Sequence, residues 1–153
     1  YIPQIVYVDE TIPIISDRYR VYHFDGKEFV EQGASAHKGL HKSLVNYYRL
    51  ASYFRTKTHL VRVDWLDYKG ALRYASWNSP LDMSRQPDIV IQGGIYDEEK
   101  NTYTFTNDGY EYVVGYSEDK PISEGMYEYH EFLVVRKNGK VVLKEERESP
   151  NDE

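Results

Sequence analysis

Three hairpin patterns recur between residues 62 and 144, and each joins two strand-like runs through a turn that contains glycine. The first predicts that Arg62–Trp65 pairs with Leu72–Trp77 through Tyr68-Lys69-Gly70. The other two pair residues 102–106 with 110–116 through Asn107-Asp108-Gly109, and residues 132–136 with 141–144 through Asn138-Gly139. Asn-Gly and Asp-Gly are the residues that tight hairpin turns favour, because their backbones accept a positive φ. The sequence therefore predicts a mainly β domain, an antiparallel meander that forms a bent sheet or a partly open barrel.

Composition limits what else the chain can be. With 153 residues and a hydrophobic fraction of 41%, it can bury one real core. The 16 tyrosines suit half-exposed strand surfaces and also suit ligand recognition, and we expect most of them to serve sheet packing. The lack of cysteine excludes disulfides and thiolate metal sites, and the net charge of −6 argues against a nucleic-acid partner.

Residues 34–58 follow a different pattern from the rest. Apolar residues recur there at helical spacing, which predicts one amphipathic helix over about His37–Arg55. The same segment carries basic residues and no acidic ones, so a polyanion-binding face is a hypothesis. Its candidate residues are Lys38, Lys42, Arg49 and Arg55. The alternative is that these side chains are solvated or lie against the acidic C-terminal half. His37 and His41 share a helical face, but without a third ligand they do not predict a metal site.

The chain divides into three predicted parts. Residues 1–33 contain an N-terminal strand and a hairpin around Asp25-Gly26, which we expect to pack on the rest of the chain or on an upstream unit. Residues 34–146 form the helix and the antiparallel β domain. Residues 147–153 are charged, contain Pro150 and are predicted to be a disordered tail.

One aromatic hairpin is the strongest candidate for a binding surface. Trp65, Tyr68, Tyr74 and Trp77 lie on the same predicted hairpin, and strand alternation allows both tryptophans to share a face. If they are exposed, these rings form a platform for a glycan or a partner protein. If they are buried, they belong to the core, which is the usual place for large aromatic residues.

No catalytic residue is predicted. Asp64 and Asp67 lie near a hairpin turn, but nothing in the sequence indicates the burial and separation that a pair of acid–base carboxylates requires. Gly93-Gly94 lacks the spacing of the phosphate-binding loops, and no cofactor is expected. A hydrolase that uses a carboxylate stays open as an alternative.

Several segments resemble domains of exported proteins. Residues 19–29 resemble the strand-turn-strand unit that closes repeats in secreted bacterial β proteins. Residues 73–77, 86–91, 103–105 and 110–112 look like a domain of exported or lipid-anchored bacterial proteins. Gly93-Gly94-x-Tyr96 followed by Tyr103-x-Phe105 is similar to the small barrel of the periplasmic lysozyme inhibitors, although the cysteines of that family are missing. The resemblance implies an exported, non-enzymatic β domain and assigns no functional residue.

These observations lead to three functional hypotheses. The first is a non-enzymatic module of the cell envelope that binds glycan or protein through its aromatic hairpin. The second is a structural domain of a larger exported protein, and the third is the hydrolase. The chain starts at Tyr1 rather than Met, which is compatible with a removed export signal, and it contains no apolar run of the about 20 residues that cross a bilayer as a helix.

Overall fold

The computed structural model of this chain describes residues 4–9, 12–16, 21–24, 29–31, 39–123 and 126–148, with side chains over residues 39–117 and 130–148. The described residues form thirteen strands: β1 (Gln4–Asp9), β2 (Ile12–Ser16), β3 (Val21–Phe24), β4 (Phe29–Glu31), β5 (Arg49–Arg55), β6 (His59–Trp65), β7 (Leu72–Asn78), β8 (Ile89–Gln92), β9 (Ile95–Asp97), β10 (Thr102–Asn107), β11 (Tyr110–Ser123), β12 (Met126–Lys137) and β13 (Lys140–Glu146).

The strands form three antiparallel sheets, so the predicted fold class is confirmed. Their orders are β1-β2-β3-β4, β5-β6-β7-β8 and β13-β12-β11-β10-β9, and the sheets do not close into a barrel. The three predicted hairpins are also confirmed, with Trp65 opposite Leu72, Asn107 opposite Tyr110, and Lys137 opposite Lys140. The last two turns place Asp108-Gly109 and Asn138-Gly139 at positive φ, as the tight hairpin turn requires.

The pairing of the N-terminal hairpin is confirmed, since Phe24 lies opposite Phe29. Its turn, which the sequence places around Asp25-Gly26, lies outside the described residues. The proposed division at residue 33 stays a prediction.

The main core lies between the four-stranded β5–β8 sheet and the five-stranded β9–β13 sheet. Their facing side chains pack in one cluster: Phe54, Val61, Val63, Leu72, Tyr74, Ile91, Tyr103, Phe105, Tyr112, Val114, Leu133 and Val135. The chain crosses from one sheet to the other at Gly93-Gly94, between β8 and β9. A Cβ on Gly94 would lie 2.3 Å from the ring of Phe105, so only glycine fits this close approach.

A second core lies on the opposite face of the β5–β8 sheet. Leu44, Leu60, Ala75 and Trp77 are buried there, with Leu40, Leu81 and Met83 packed around them. Because both faces of this sheet are covered, β6 and β7 are buried along almost their whole length. The covering segments are residues 39–48 and the loop 79–87.

The predicted helix is wrong within the described residues. Residues 49–55 form β5, and the only helical turn described between Gly39 and Arg55 is a 3-10 turn at Lys42–Leu44. From Ser52 onwards, burial in β5 alternates as a strand requires, and Tyr53 and Phe54 are good strand formers. β5 also supplies the antiparallel partner of β6, with Arg49 opposite Trp65. Tertiary pairing therefore overrides the helical spacing of the apolar residues.

The predicted disordered tail is wrong for its first two residues. The Arg147 amide donates to the Glu131 carbonyl at 2.8 Å, and the Glu148 amide donates to the Arg55 carbonyl at 2.8 Å. The chain therefore continues along the sheet edge beyond β13, because main-chain partners are available there. Residues 149–153 are outside the described part.

Candidate functional site

The aromatic hairpin does not present its four predicted residues on one surface. Tyr74 and Trp77 have no exposed area, so they belong to the two cores and cannot contact a ligand. The register explains why the tryptophans lie on opposite faces: Trp65 is paired with Leu72, whereas Trp77 is paired with Leu60. The Trp77 indole donates to the Arg85 carbonyl at 2.9 Å, which satisfies its polar atom inside the core. The core alternative is therefore correct for these two residues.

Trp65 and Tyr68 lie at the molecular surface, at one end of the sheet pair. Together with Tyr48, Arg49, Asp67 and Gly70 they line a groove of about 330 Å³. Tyr68 is the most exposed aromatic residue of the groove, with 66% of its surface exposed, whereas Tyr48 and Trp65 are half-buried. We call this groove, defined by its six lining residues, the aromatic groove.

Neighbouring strands fix the Trp65 ring. Tyr96 and Tyr103 meet it edge-on, with centroids at 5.8 Å and 6.0 Å, and these two tyrosines stack on each other at 4.8 Å. The Arg49 guanidinium lies over the Trp65 ring, 5.8 Å from its centroid. Trp65 is therefore a rigid wall of the groove, and the exposed Tyr68 ring is the surface on which a ligand can stack.

The turn between β6 and β7 positions Tyr68. Asp67 Oδ1 accepts hydrogen bonds from the Lys69 amide at 2.8 Å and the Ala71 amide at 3.1 Å, and the Leu66 amide donates to the Ala71 carbonyl at 2.8 Å. The Ala71 amide contributes most to holding the pKa of Asp67 below its usual value, with the Lys69 amide also lowering it against partial desolvation. The groove therefore contains a carboxylate that is ionised at neutral pH. The hydrogen bonds from the Lys69 and Ala71 amides both go to its Oδ1 atom.

A buried ionic cluster lies beneath the segment that leads into the groove. The Asp64 carboxylate accepts from Arg62 Nε and from Arg73 Nη2, both at 2.9 Å, and all three side chains are buried. Arg62 Nη2 also lies 2.8 Å from Asp64 Oδ1, without the alignment of a hydrogen bond.

Two guanidinium groups share one carboxylate in this cluster, so positive charge is in excess. Two carbonyls and an aromatic ring from residues 44–47 offset it: Arg73 donates to Leu44 O at 2.8 Å and Asn46 O at 3.3 Å, and Arg62 lies 4.7 Å from the Tyr47 ring centre. The cluster thereby fixes this segment on the sheet. The next residue, Tyr48, donates its amide to Trp65 O at 2.8 Å and reaches the aromatic groove.

The predicted basic face does not form. Lys42 lies in the 3-10 turn, Arg49 lies in the aromatic groove, and Arg55 is at the other end of β5 in an ion pair with Glu148 at 3.3 Å. Lys38 is outside the described residues. Because the segment is not a helix, nothing aligns these cations, and the proposed polyanion site is not supported as a single surface.

A second polar cluster joins β13 to the β5–β6 turn. The Glu145 carboxylate accepts hydrogen bonds from Thr56 and from Thr58, the latter at 2.6 Å, and it lies 3.3 Å from His59 Nδ1. Burial alone would raise the pKa of Glu145, but these hydrogen bonds together outweigh it and lower the pKa. The cluster links the two packed sheets, and the Thr58 hydroxyl that donates to Glu145 also lies 2.7 Å from His59 Nδ1.

Sequence reasoning missed Tyr48, Arg49 and Asp67 as groove residues, and it missed the support from Tyr96 and Tyr103. Only the turn residues Asp67 and Gly70 carried a local signal, since Asp and Gly favour turns. The others reach the groove through strand pairing that no short pattern encodes.

No protein-family model matches this chain, and comparison with the curated proteins and with the solved structures gives no match either. The resemblance to exported β domains therefore stays an expectation. Across the part of the chain that the structure describes, no helix has the length and apolar character to cross a membrane, and no three potential metal ligands converge.

Proposed function

We propose that this chain is a non-enzymatic binding module whose aromatic groove takes a saccharide. The observation that carries the proposal is the exposed Tyr68 ring beside the Asp67 carboxylate and the Arg49 guanidinium in one groove. Nothing in this arrangement requires a chemical step.

A sugar ring needs two kinds of contact. Its apolar face packs on an aromatic ring, and its hydroxyl groups exchange hydrogen bonds with polar side chains. Tyr68 offers the ring, Arg49 offers donors, and the Asp67 carboxylate offers an acceptor. Hydrogen bonds in the turn and pairing between the strands already hold the groove residues in place. Binding therefore costs little conformational entropy of the protein.

The size of the groove favours a saccharide over a folded protein partner. Its volume of about 330 Å³ is at the lower end of the range for small-ligand pockets, roughly 300–1,000 Å³. A stable protein interface covers about 800 Å² on each partner, far more than six lining residues provide.

The test is an array of neutral and acidic glycans, including peptidoglycan fragments, followed by calorimetry on the glycans retained. Tyr68→Ala removes the exposed ring and should weaken binding by about tenfold or more, the scale of one lost stacking contact. Tyr53→Ala is the matched control, because Tyr53 is an exposed tyrosine on the opposite face of the same sheet, opposite Arg62. Equal binding by both variants and the wild type would refute the groove as the site.

A specific observation favours the second candidate function, a structural part of a larger assembly. β11 and β12 continue past their outer neighbours, since β10 ends opposite Gly115 and β13 ends opposite Phe132. Residues 117–123 and 126–130 thus form a two-stranded ribbon with which no third described strand pairs. Such a ribbon is marginal alone, and its free edges can pair with another strand.

Sedimentation velocity tests this second candidate. Replacing residues 118–129 with Asn-Gly shortens the ribbon and keeps the pairing of Ser117 with His130. Concentration-dependent association in the wild type that disappears in the shortened variant supports assembly through the ribbon. A wild type that sediments as a monomer at all concentrations argues against self-assembly.

Export to the cell envelope is proposed on the resemblance alone. Fractionation of cells that express the full-length gene product tests it, and recovery of the protein in the cytoplasmic fraction would contradict it.

A further inference from the structure

Arg49 differs from the other arginines that the structure describes. Six of the seven lie in salt bridges: Arg55 with Glu148, Arg62 and Arg73 with Asp64, Arg85 with Asp88, Arg136 with Glu111, and Arg147 with Glu131. Arg49 has no carboxylate within salt-bridge distance among the described residues. The one described arginine without an anionic partner is therefore the one that lines the aromatic groove.

The position of Arg49 suits it to receive an anion. The residue is exposed, pairs with Trp65 across β5 and β6, and holds its guanidinium over the Trp65 ring. Stacking on an aromatic face limits the motion of a guanidinium and leaves its in-plane N–H donors available. A planar guanidinium with free donors matches a carboxylate, which it can bind through two parallel hydrogen bonds.

Asp67 restricts which anions fit. Its carboxylate is ionised at neutral pH and lines the same groove, so it repels a ligand with dense negative charge and accepts hydrogen bonds from hydroxyl groups. The groove thus combines the Arg49 cation for a carboxylate, the Asp67 acceptor for hydroxyls and the exposed Tyr68 ring for stacking, and the Lys69 ammonium lies 5.8 Å from the centre of that ring.

We propose that the saccharide bound in the aromatic groove carries a carboxylate, and that Arg49 binds this carboxylate. This inference rests on the proposed saccharide function. It narrows the ligand to acidic sugars such as uronic acids or lactyl-substituted amino sugars, and it makes Arg49 the residue that distinguishes them from neutral sugars.

The competing explanation is that Arg49 only supports Trp65. Calorimetry with matched pairs of ligands separates the two explanations. One pair is hyaluronan tetrasaccharide and its carboxyl-reduced form, and the other is N-acetylglucosaminyl-N-acetylmuramic acid and N,N′-diacetylchitobiose, which lacks the lactyl group. The proteins are the wild type, Arg49→Gln, Arg49→Lys, Tyr68→Ala, and Arg55→Gln as an exposed arginine control at the far end of β5.

In at least one pair, the wild type should bind the acidic member about tenfold more tightly, the scale of one charge-assisted contact. Arg49→Gln should abolish this preference. Its affinity for the neutral member should stay within about twofold of the wild-type affinity. Arg49→Lys should keep part of the preference, because it retains the charge without the planar fork. Arg55→Gln should behave as the wild type does.

Three results would overturn the inference. The wild type could bind the acidic and neutral members with equal affinity and lose this binding in Tyr68→Ala. The groove would then remain a saccharide site, but it would not select for sugars that carry a carboxylate. An equal loss for both members in Arg49→Gln would show that Arg49 only supports Trp65. No binding of any member would remove the inference and the proposed function together.

Discussion

The buried cluster of Arg62, Asp64 and Arg73 provides the sharpest test of the account of stability. We predict that Asp64→Asn destabilises the protein by about 3–5 kcal/mol, the cost of leaving a buried charge without its partner. Asparagine has nearly the same shape, so no cavity forms and the loss is electrostatic. The substitution removes an anion that has contacts at 2.8–2.9 Å with two guanidinium groups, both of which are buried.

Urea unfolding followed by circular dichroism measures this loss. With a slope of about 1–3 kcal/mol per molar urea, the midpoint should fall by roughly 1–5 M. Glu111→Gln is the control, because it removes the same charge from an ion pair with Arg136 that is partly exposed, and it should cost about 1 kcal/mol or less.

A double variant identifies the cause of the destabilisation. Arg62→Met should cost less in the Asp64→Asn background than in the wild type, because it then removes an uncompensated charge. The free energy of unfolding of Asp64→Asn could instead lie within about 1 kcal/mol of the wild-type value, which is the range measured for surface pairs. That result would refute the electrostatic explanation.

Three further predictions concern the cores and the polar link between the sheets. Trp77→Ala should destabilise the protein by about 3–5 kcal/mol, because it empties a fully buried site. Tyr68→Ala should keep a free energy of unfolding within about 0.5 kcal/mol of the wild type. Similar urea midpoints for both variants would contradict the burial of Trp77 and the exposure of Tyr68. Gly94→Ala should cost about 1–3 kcal/mol, because its Cβ would meet the Phe105 ring at 2.3 Å, and an unchanged thermal midpoint would show that the crossing is not tightly packed. The lowered pKa of Glu145 means that its contribution to stability is present above its ordinary pKa of 4.5 and is lost as the pH falls through the lower folded value. Glu145→Gln should therefore be less stable than the wild type at pH 7, and the gap should shrink as the pH falls below 4.5 and through the lower folded pKa; a gap that is independent of pH would contradict this linkage.

The hairpins could be predicted because their signals are local. Gly109 and Gly139 follow Asp108 and Asn138 at positions that need positive φ, and the flanking residues are strong strand formers. A single glycine-containing turn therefore defines each pairing, and strand alternation then assigns the faces once the register is known.

The segment before β6 could not be predicted in the same way. Leu40, Leu44 and Phe54 do recur at helical spacing, but they pack in two different cores. Leu44 covers the second core, whereas Phe54 enters the main core from a strand. The spacing of apolar residues indicates which residues are buried. It does not indicate whether they belong to one helix or to two separate segments.

The candidate site was predicted only in part, because its other residues depend on strand pairing. Trp65 and Tyr68 belong to the groove, but assigning Trp77 to the same face assumed a register that the turn does not allow. With Trp65 opposite Leu72, the parity of the two strands puts Trp77 on the other face. Tyr48 and Arg49 join the groove only through the pairing of β5 with β6, which depends on the whole fold.

The two tryptophans allow a direct measurement of whether a ligand binds at the aromatic groove. Trp77→Phe leaves Trp65 as the single indole, because the chain contains two tryptophans. This variant should be titrated with the glycan that the array ranks first. We predict a saturable change in Trp65 emission that calorimetry matches in affinity and that the further substitution Tyr68→Ala removes. Binding seen by calorimetry with unchanged Trp65 emission would place the ligand elsewhere and contradict the account.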